Sequence, residues 1–316
     1  MMPITSFGIK FGTRAASRVH GSRVIFVSCV HLGKRLPDRR RFVTMADSQQ
    51  EDSDSVIRIA AFADGNAGGN PAGVAIRKLM PEVSEMQRIA SEVGFSETAF
   101  ATKSGEAWRV RYFSPESEVP FCGHATIALG AALAMKYGDG AFNLSLNAAN
   151  ITVEGQRDGK TIAGALQSPP TSSAPADVDL VTRALTLFGF TEKDLDHRIP
   201  PGIAEGGNRH LVLALKDRAT LSAMSYDLNT GRVLMNDAGL VTIILVNAAS
   251  DQCFHVRNPF ASGGVYEDPA TGSAAAAFAG YLRDLKWPHG GQIEIIQGED
   301  MGMRSRLTAD IPPESG

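Results

Sequence analysis

EDPATGSAAAAFAGYL, residues Glu267 to Leu282, is the stretch on which the fold turns. A short polar turn there runs straight into an alanine-rich segment. FCGHATIALGAAL, Phe121 to Leu133, does the same earlier in the chain. Alanine is the strongest helix former, so each turn reads as the start of a helix. Gly123, His124 and Thr126 mark one start; Asp268, Thr271, Gly272 and Ser273 mark the other. The first N–H groups of a helix have no partners within it, and the dipole adds positive charge there. Each start can therefore hold a carboxylate. Two such starts predict a pocket clamped between two similar halves.

Working outward, the flanking sequence repeats as well. GGNPAGVAI (68–76) is answered by GGNRHLVLAL (206–215), and VRYFSPESEVPFCGHAT (110–126) by HVRNPFASGGVYEDPATGS (255–273). Each half has a Gly-Asn loop entering a strand, then a strand, loop and clamp helix. Strands are expected at 56–62, 96–102, 108–113, 240–246, 252–257, 293–298 and 304–311, with strand-like pieces near 142–154 and 160–167. Helices are expected at Pro81–Val93, ended by Gly94, and at 178–188. Gln167 to Asp179, rich in Pro, Ser and Ala, reads as a linker. The expected class is α+β: two pseudo-symmetric lobes, 56–170 and 171–316, each a sheet rolled around a central helix. The last strand is free to return to the first lobe. A cleft between the lobes would face both helix starts.

Bulk properties narrow the function. The chain has 316 residues, 43% hydrophobic and 21% charged, with a net charge of -3. That balance implies no basic surface on the scale nucleic acid requires. No apolar run reaches the ~18 residues of a membrane-spanning helix. Cys29, Cys122 and Cys253 fit neither a disulfide framework nor a metal-binding spacing, so no metal is expected. Nucleotide-binding glycine loops, a GxSxG elbow and HExxH are all missing from the sequence. Residues 1–55 are different material. Up to Val43 they are arginine-rich with Asp38 as the one acid, and 46–55 are acidic and polar. Two readings stand side by side. Residues 1–44 are an organelle transit peptide, mitochondrial or other, or Met45 is the true start of a cytoplasmic protein. Either way residues 1–55 are set outside the fold, as a disordered or targeting extension.

Glu97 lies between Ser96 and Thr98 at the head of an apolar strand. Burial there would raise its pKa toward neutrality, as a proton shuttle needs; an edge-strand surface acid is the plainer reading. His124 stands at a helix start, whose positive end favours a neutral imidazole; a structural histidine is the alternative. Asp268 and Ser273 flank the second start and are also good caps. His210 is explained by a polar loop-to-strand position.

These residues sit in motifs that resemble the phenazine-biosynthesis PhzF-like family: GNPAGV (69–74), GFSETAF (94–100), YFSPESEVPFCGHAT (112–126), GGNRHLV (206–212), EDPATGSAAA (267–276) and QGEDMG (297–302). The resemblance spans Val56 to Ile311 and implies the diaminopimelate-epimerase fold, with an active site between the lobes, no cofactor and no metal. It implies that Glu97 is the general acid/base, that His124 and Asp268 assist, and that Ser273, Asn70 and the helix-start amides at Gly123 and Gly272 hold the substrate. The implied activity is a cofactor-independent isomerase that moves a proton within a small carboxylated metabolite, working as a homodimer with no nucleic-acid or membrane partner. The alternatives are an epimerase or dehydratase of amino-acid derivatives and an inactive carboxylate-binding protein of the same fold. The chain departs from the family pattern at Met303-Arg304-Ser305, where Arg-Pro-Ser is common. It also carries Cys122 where related two-thiol racemases carry one cysteine, with no second thiol in EDPATGS.

Overall fold

A computed structural model describes residues 25–32, 55–65, 67–158 and 161–312. The first lobe contains β1 (Ile25–Leu32), β2 (Ile57–Ala61), β3 (Asn70–Arg77), α1 (Val83–Val93), β4 (Thr98–Ser104), β5 (Ala107–Phe113), β6 (Glu118–Val119), α2 (Gly123–Tyr137), β7 (Gly140–Ser145), β8 (Asn150–Asp158) and β9 (Thr161–Gln167). The second contains β10 (Ser172–Pro175), α3 (Val178–Phe188), β11 (Gly202–Glu205), β12 (Arg209–Ala214), α4 (Arg218–Ser222), α5 (Leu228–Asp237), β13 (Thr242–Ala248), β14 (Cys253–Arg257), β15 (Pro259–Phe260), β16 (Val265–Glu267), α6 (Gly272–Asp284), β17 (Gln292–Gln297) and β18 (Ser305–Asp310). Among the described residues no helix is long and apolar enough to cross a membrane.

The repeat heard in the sequence is present in the hydrogen bonding. The ladder β2-β3-β4-β5-β7-β8 pairs antiparallel, parallel, antiparallel, parallel, antiparallel. The ladder β11-β12-β13-β14-β17-β18 repeats that order. The two are joined through β18, β1 and β2 into one continuous sheet. The α+β class with two pseudo-symmetric lobes is therefore the observed architecture.

Each ladder wraps a helix. α2 is buried on all sides from His124 to Ala134, and α6 from Ala274 to Leu282. A helix apolar all round belongs inside. Small residues let the sheet reach the helix backbone: a Cβ on Gly155 of β8 would lie 2.3 Å from the carbonyl oxygen of Gly130 in α2. One contiguous apolar cluster contains both helices. A second cluster packs α3 (Ala184, Leu185, Phe188) and α5 (Leu234, Met235) on Leu211, Leu213, Ile243 and Leu245 of β12 and β13.

Three readings of the sequence are corrected here. The first placed all of residues 1–55 outside the fold. Residues 25–32 instead run as β1, paired with β9 from Ile25–Gln167 to Val30–Ile162 and with β18. IFVSCVHL is rich in strand-forming residues, and its basic surroundings concealed this. The transit-peptide and Met45-start readings otherwise fall on residues outside those described. Second, the Gln167–Asp179 linker contains β10, an edge strand on β11. Third, residues 216–239 hold α4 and α5, which the sequence reading passed over. Gly231 weakens the helical pattern of α5, but Asp227 caps it, its side chain accepting the Thr230 N–H at 2.8 Å.

Candidate active site

The first half of the site is built at the start of α2. Glu97 is the residue before β4, and its carbonyl accepts the Gly73 N–H at 3.1 Å. His124, the second residue of α2, places Nε2 3.3 Å from Glu97 Oε2 and 3.3 Å from Ser96 Oγ. Its Nδ1 lies 3.2 Å from Cys122 Sγ. Glu97 Oε2 is buried and makes no well-aligned hydrogen bond; the His124 imidazole and the Cys122 thiol both lie near it. Burial pushes the His124 pKa down against the opposing pull of Glu97, which keeps the ring neutral. The Cys122 thiol is held well above its ordinary value by burial and by the charge of Glu97, with the Ala125 N–H opposing.

The second half is built at the start of α6. Asp268 Oδ1 accepts from Asn70 Nδ2 at 3.0 Å, a bond that crosses between the lobes. Oδ2 accepts from Thr271 Oγ1 at 2.5 Å. That hydroxyl in turn accepts from Asn258 Nδ2 at 2.5 Å and from Gln297 Nε2 at 3.1 Å, which completes its one donor and two acceptor positions. Gln297 Nε2 also donates to the Asp268 carbonyl at 2.7 Å. Asp268 is pushed up to about 7, by burial first; the Thr271 bond opposes, the charge of Glu97 adds to the rise and the Asn70 bond opposes again. The helices α2 and α6 are in contact, and the charge of Glu97 is among the causes that raise Asp268.

Ser273 Oγ, at the second position of α6, accepts from Asn208 Nδ2 at 3.1 Å. Neither helix has a side-chain cap bond. The first helical bonds are Thr126 N–H to Cys122 O and Ala275 N–H to Thr271 O. The amides of Gly123, His124, Gly272 and Ser273 precede them, at the two helix starts. Asn70, assigned from the resemblance to substrate binding, gives its amide hydrogens to Asp268 and to the Ala270 carbonyl at 3.1 Å. It thus positions the second carboxyl. Sequence reasoning missed Asn208, Asn258 and Gln297. Asn208 had a signal, since it repeats Asn70 in the second Gly-Gly-Asn. Arg304, in the departing Met-Arg-Ser run, donates to Asp64 Oδ2 at 2.6 Å and pairs with Glu299, tying the lobes together.

Other groups lie apart from this set. His210 is buried with Nδ1 2.7 Å from Thr242 Oγ1 and is pushed down to about 3 by burial, a core histidine. A hollow of about 550 Å³ lined by Arg109, Asn143 and Thr152 shares no residue with either helix start. The ligand atoms of Glu97, Cys122 and His124 lie within 4.8 Å of one another, close enough to hold a metal ion. The cysteine spacing that argued against a metal could not reveal this grouping.

Residues 59–315 match the model of the phenazine biosynthesis-like protein family. The chain is 34% identical over 262 residues to a trans-2,3-dihydro-3-hydroxyanthranilate isomerase of Pseudomonas aeruginosa, covering 80% of this chain and 88% of that one. It is 30% identical to an uncharacterized isomerase, YddE, of Escherichia coli O157:H7, covering 77% and 84%. A Bacillus anthracis phenazine biosynthesis protein of the PhzF family superposes with a TM-score of 0.69 at 23% identity, over 81% of this chain and 94% of that one. That likeness shows the fold. Together these matches favour a working enzyme over an inactive carboxylate binder. The chain is a small-molecule isomerase that belongs to the phenazine biosynthesis-like family.

Proposed function

We propose that the enzyme moves a proton from one atom to another of a small carboxylated metabolite, with Glu97 as the group that takes and returns it. One observation carries the reading. Two carboxyl groups in unlike surroundings, Glu97 against a neutral imidazole and Asp268 held up to about 7, face one space between two amide-lined helix starts. A carboxyl held up near neutrality, as Asp268 is, can serve as acid beside a second carboxyl that serves as base. Glu97 as carboxylate removes the proton. His124, donating from Nε2, steadies the charge on Glu97, and Asp268 in its protonated form donates toward the developing negative charge. Ser273 and the helix-start amides grip the substrate carboxylate. A cyclic dihydro-amino-carboxylate of the kind named for the Pseudomonas relative fits a clamp with one carboxylate cradle and two acid–base groups. The homodimer expected from the resemblance belongs to the same proposal, and light scattering of the purified chain tests it.

The test is proton exchange in heavy water, followed by mass spectrometry on trans-2,3-dihydro-3-hydroxyanthranilate and a panel of related carboxylates. Glu97→Gln keeps the shape and removes the base. We expect its exchange rate to fall by roughly 10²–10⁴, the usual contribution of a positioned acid–base group. Equal rates for wild type and variant would remove Glu97 from the role. Exchange that proceeds with inversion of a stereocentre, and without a shift of the proton, would point instead to the epimerase alternative.

A further inference from the structure

We propose that Glu97, Cys122 and His124 form a binding site for a thiophilic divalent cation of the zinc class, and that its occupancy shuts the proton-transfer site. The binding half of this stands on geometry alone; the inhibitory half rests on Glu97 being the base.

The three donors are contributed by the residue before β4 and by the entry to α2. His124 Nε2 is 3.3 Å from Glu97 Oε2 and 3.9 Å from Cys122 Sγ. A tetrahedral zinc with bonds of about 2.0–2.1 Å to nitrogen and oxygen and about 2.3 Å to sulfur spaces such donors roughly 3.3–3.6 Å apart. The nitrogen–oxygen edge already has that length, the nitrogen–sulfur edge must close by a few tenths of an ångström, and the sulfur and the carboxylate oxygen, within 4.8 Å of each other, must also draw in. Glu97 Oε2, buried and without a well-aligned hydrogen bond, is available as a ligand atom. The donor set also selects the ion. A thiol and an imidazole suit zinc, cobalt or copper, whereas magnesium and calcium prefer oxygen throughout.

The charges balance. The Cys122 thiol is buried, with Sγ 3.2 Å from His124 Nδ1. A dication stabilises the thiolate as its ligand. The S–H bond breaks, the sulfur–metal bond forms, and one proton leaves to solvent. Thiolate and carboxylate then carry two negative charges against the two positive charges of the ion, with the imidazole neutral. Bound in this way, the Glu97 lone pair that would accept a substrate proton is committed to the metal.

The experiment uses the full chain stripped with a chelator and titrated with zinc chloride and, separately, cobalt chloride. We expect one site that releases about one proton per ion, read as a dependence of the binding enthalpy on buffer. Cobalt should give a thiolate-to-metal charge-transfer band that Cys122→Ser abolishes, and that variant should bind zinc at least tenfold more weakly. Cys253 remains in that variant as an internal control. Zinc should block heavy-water exchange in the wild type, a chelator should restore it, and Cys122→Ser should shift the inhibition to at least tenfold higher zinc. Circular dichroism checks that the variant is folded, and Cys122→Ala is the substitute if it is not. A band of equal strength in the cysteine variant, or equal zinc affinity, would overturn the site. Should Glu97→Gln leave exchange undiminished, the assigned base falls, yet the cobalt band still decides whether the site exists.

Discussion

Asp268→Asn should stabilise the protein selectively at high pH. The carboxyl ionises at about 7 in the folded chain against 3.8 when exposed, chiefly because it is buried. The folded state therefore binds this proton more tightly than the unfolded state. Between those values the unfolded chain has lost a proton that the folded chain keeps. Stability thus falls as pH rises through the window and levels off above about 7. At ~1.4 kcal/mol per pH unit the whole window is worth about 4 kcal/mol at most, of which about 2–3 kcal/mol lies between pH 5 and pH 8. Water at the partly exposed cleft lowers this, so about 1–3 kcal/mol is expected. Asparagine keeps an oxygen for Asn70 but disturbs the bond with Thr271. That cost does not depend on pH and cancels in the comparison. Urea unfolding of both proteins at pH 5 and pH 8 gives the four free energies needed. The variant should gain on the wild type by about 1–3 kcal/mol between the two pH values. A difference that stays constant within about 0.5 kcal/mol would refute the burial of an ionisable Asp268.

Two further expectations concern the frame around the site. Arg257 and Glu267 are a buried pair, with Nη2 2.5 Å from Oε2, and Glu267 directly precedes Asp268. Glu267→Ala should cost about 3–5 kcal/mol in urea unfolding, because it strands a buried guanidinium, and the double variant Arg257→Met/Glu267→Leu should recover most of it. Gly155→Ala should cost about 1–3 kcal/mol by the same assay, since its Cβ would lie 2.3 Å from a backbone oxygen that cannot swing away. An unchanged midpoint would mean that β8 does not press on α2.

How much the sequence discloses depends on how local the cause is. The two clamp helices were legible because alanine runs and their polar starts are neighbours in the chain. α1 begins two residues later than expected, but Gly94 ends it in the left-handed conformation, φ 70°, as anticipated. The strand pieces near 142–154 resolve into β7 and β8, separated by a turn in which the Leu146 N–H meets the Ala149 carbonyl at 2.8 Å. What stayed hidden is contact between distant positions. Asn70 and Asp268 are 198 residues apart, and no pattern in either neighbourhood announces their bond. Cys122 looked like a relic of thiol racemases, and only folding shows its sulfur against the ring of His124. Glu97 could be singled out by its apolar company and His124 by its helix start, but that the two side chains meet 3.3 Å apart is a contact only folding makes. β1 was obscured by the basic residues around it, since composition averaged over 55 residues conceals a strand of eight.

The doubled ladder has a consequence for how such an enzyme can change. A pseudo-dyad that carries β2 through β8 onto β11 through β18 must also carry one helix start onto the other, so their meeting is a property of the scaffold and not of any particular side chain. The bound molecule has no matching symmetry, and the whole of its orientation is left to the few positions where the halves have diverged: Cys-Gly-His on one side, Asp-Pro-Ala-Thr-Gly-Ser on the other. Those positions can drift separately, so new chemistry can be tried on one lip of the cleft while the opposite lip keeps its hold.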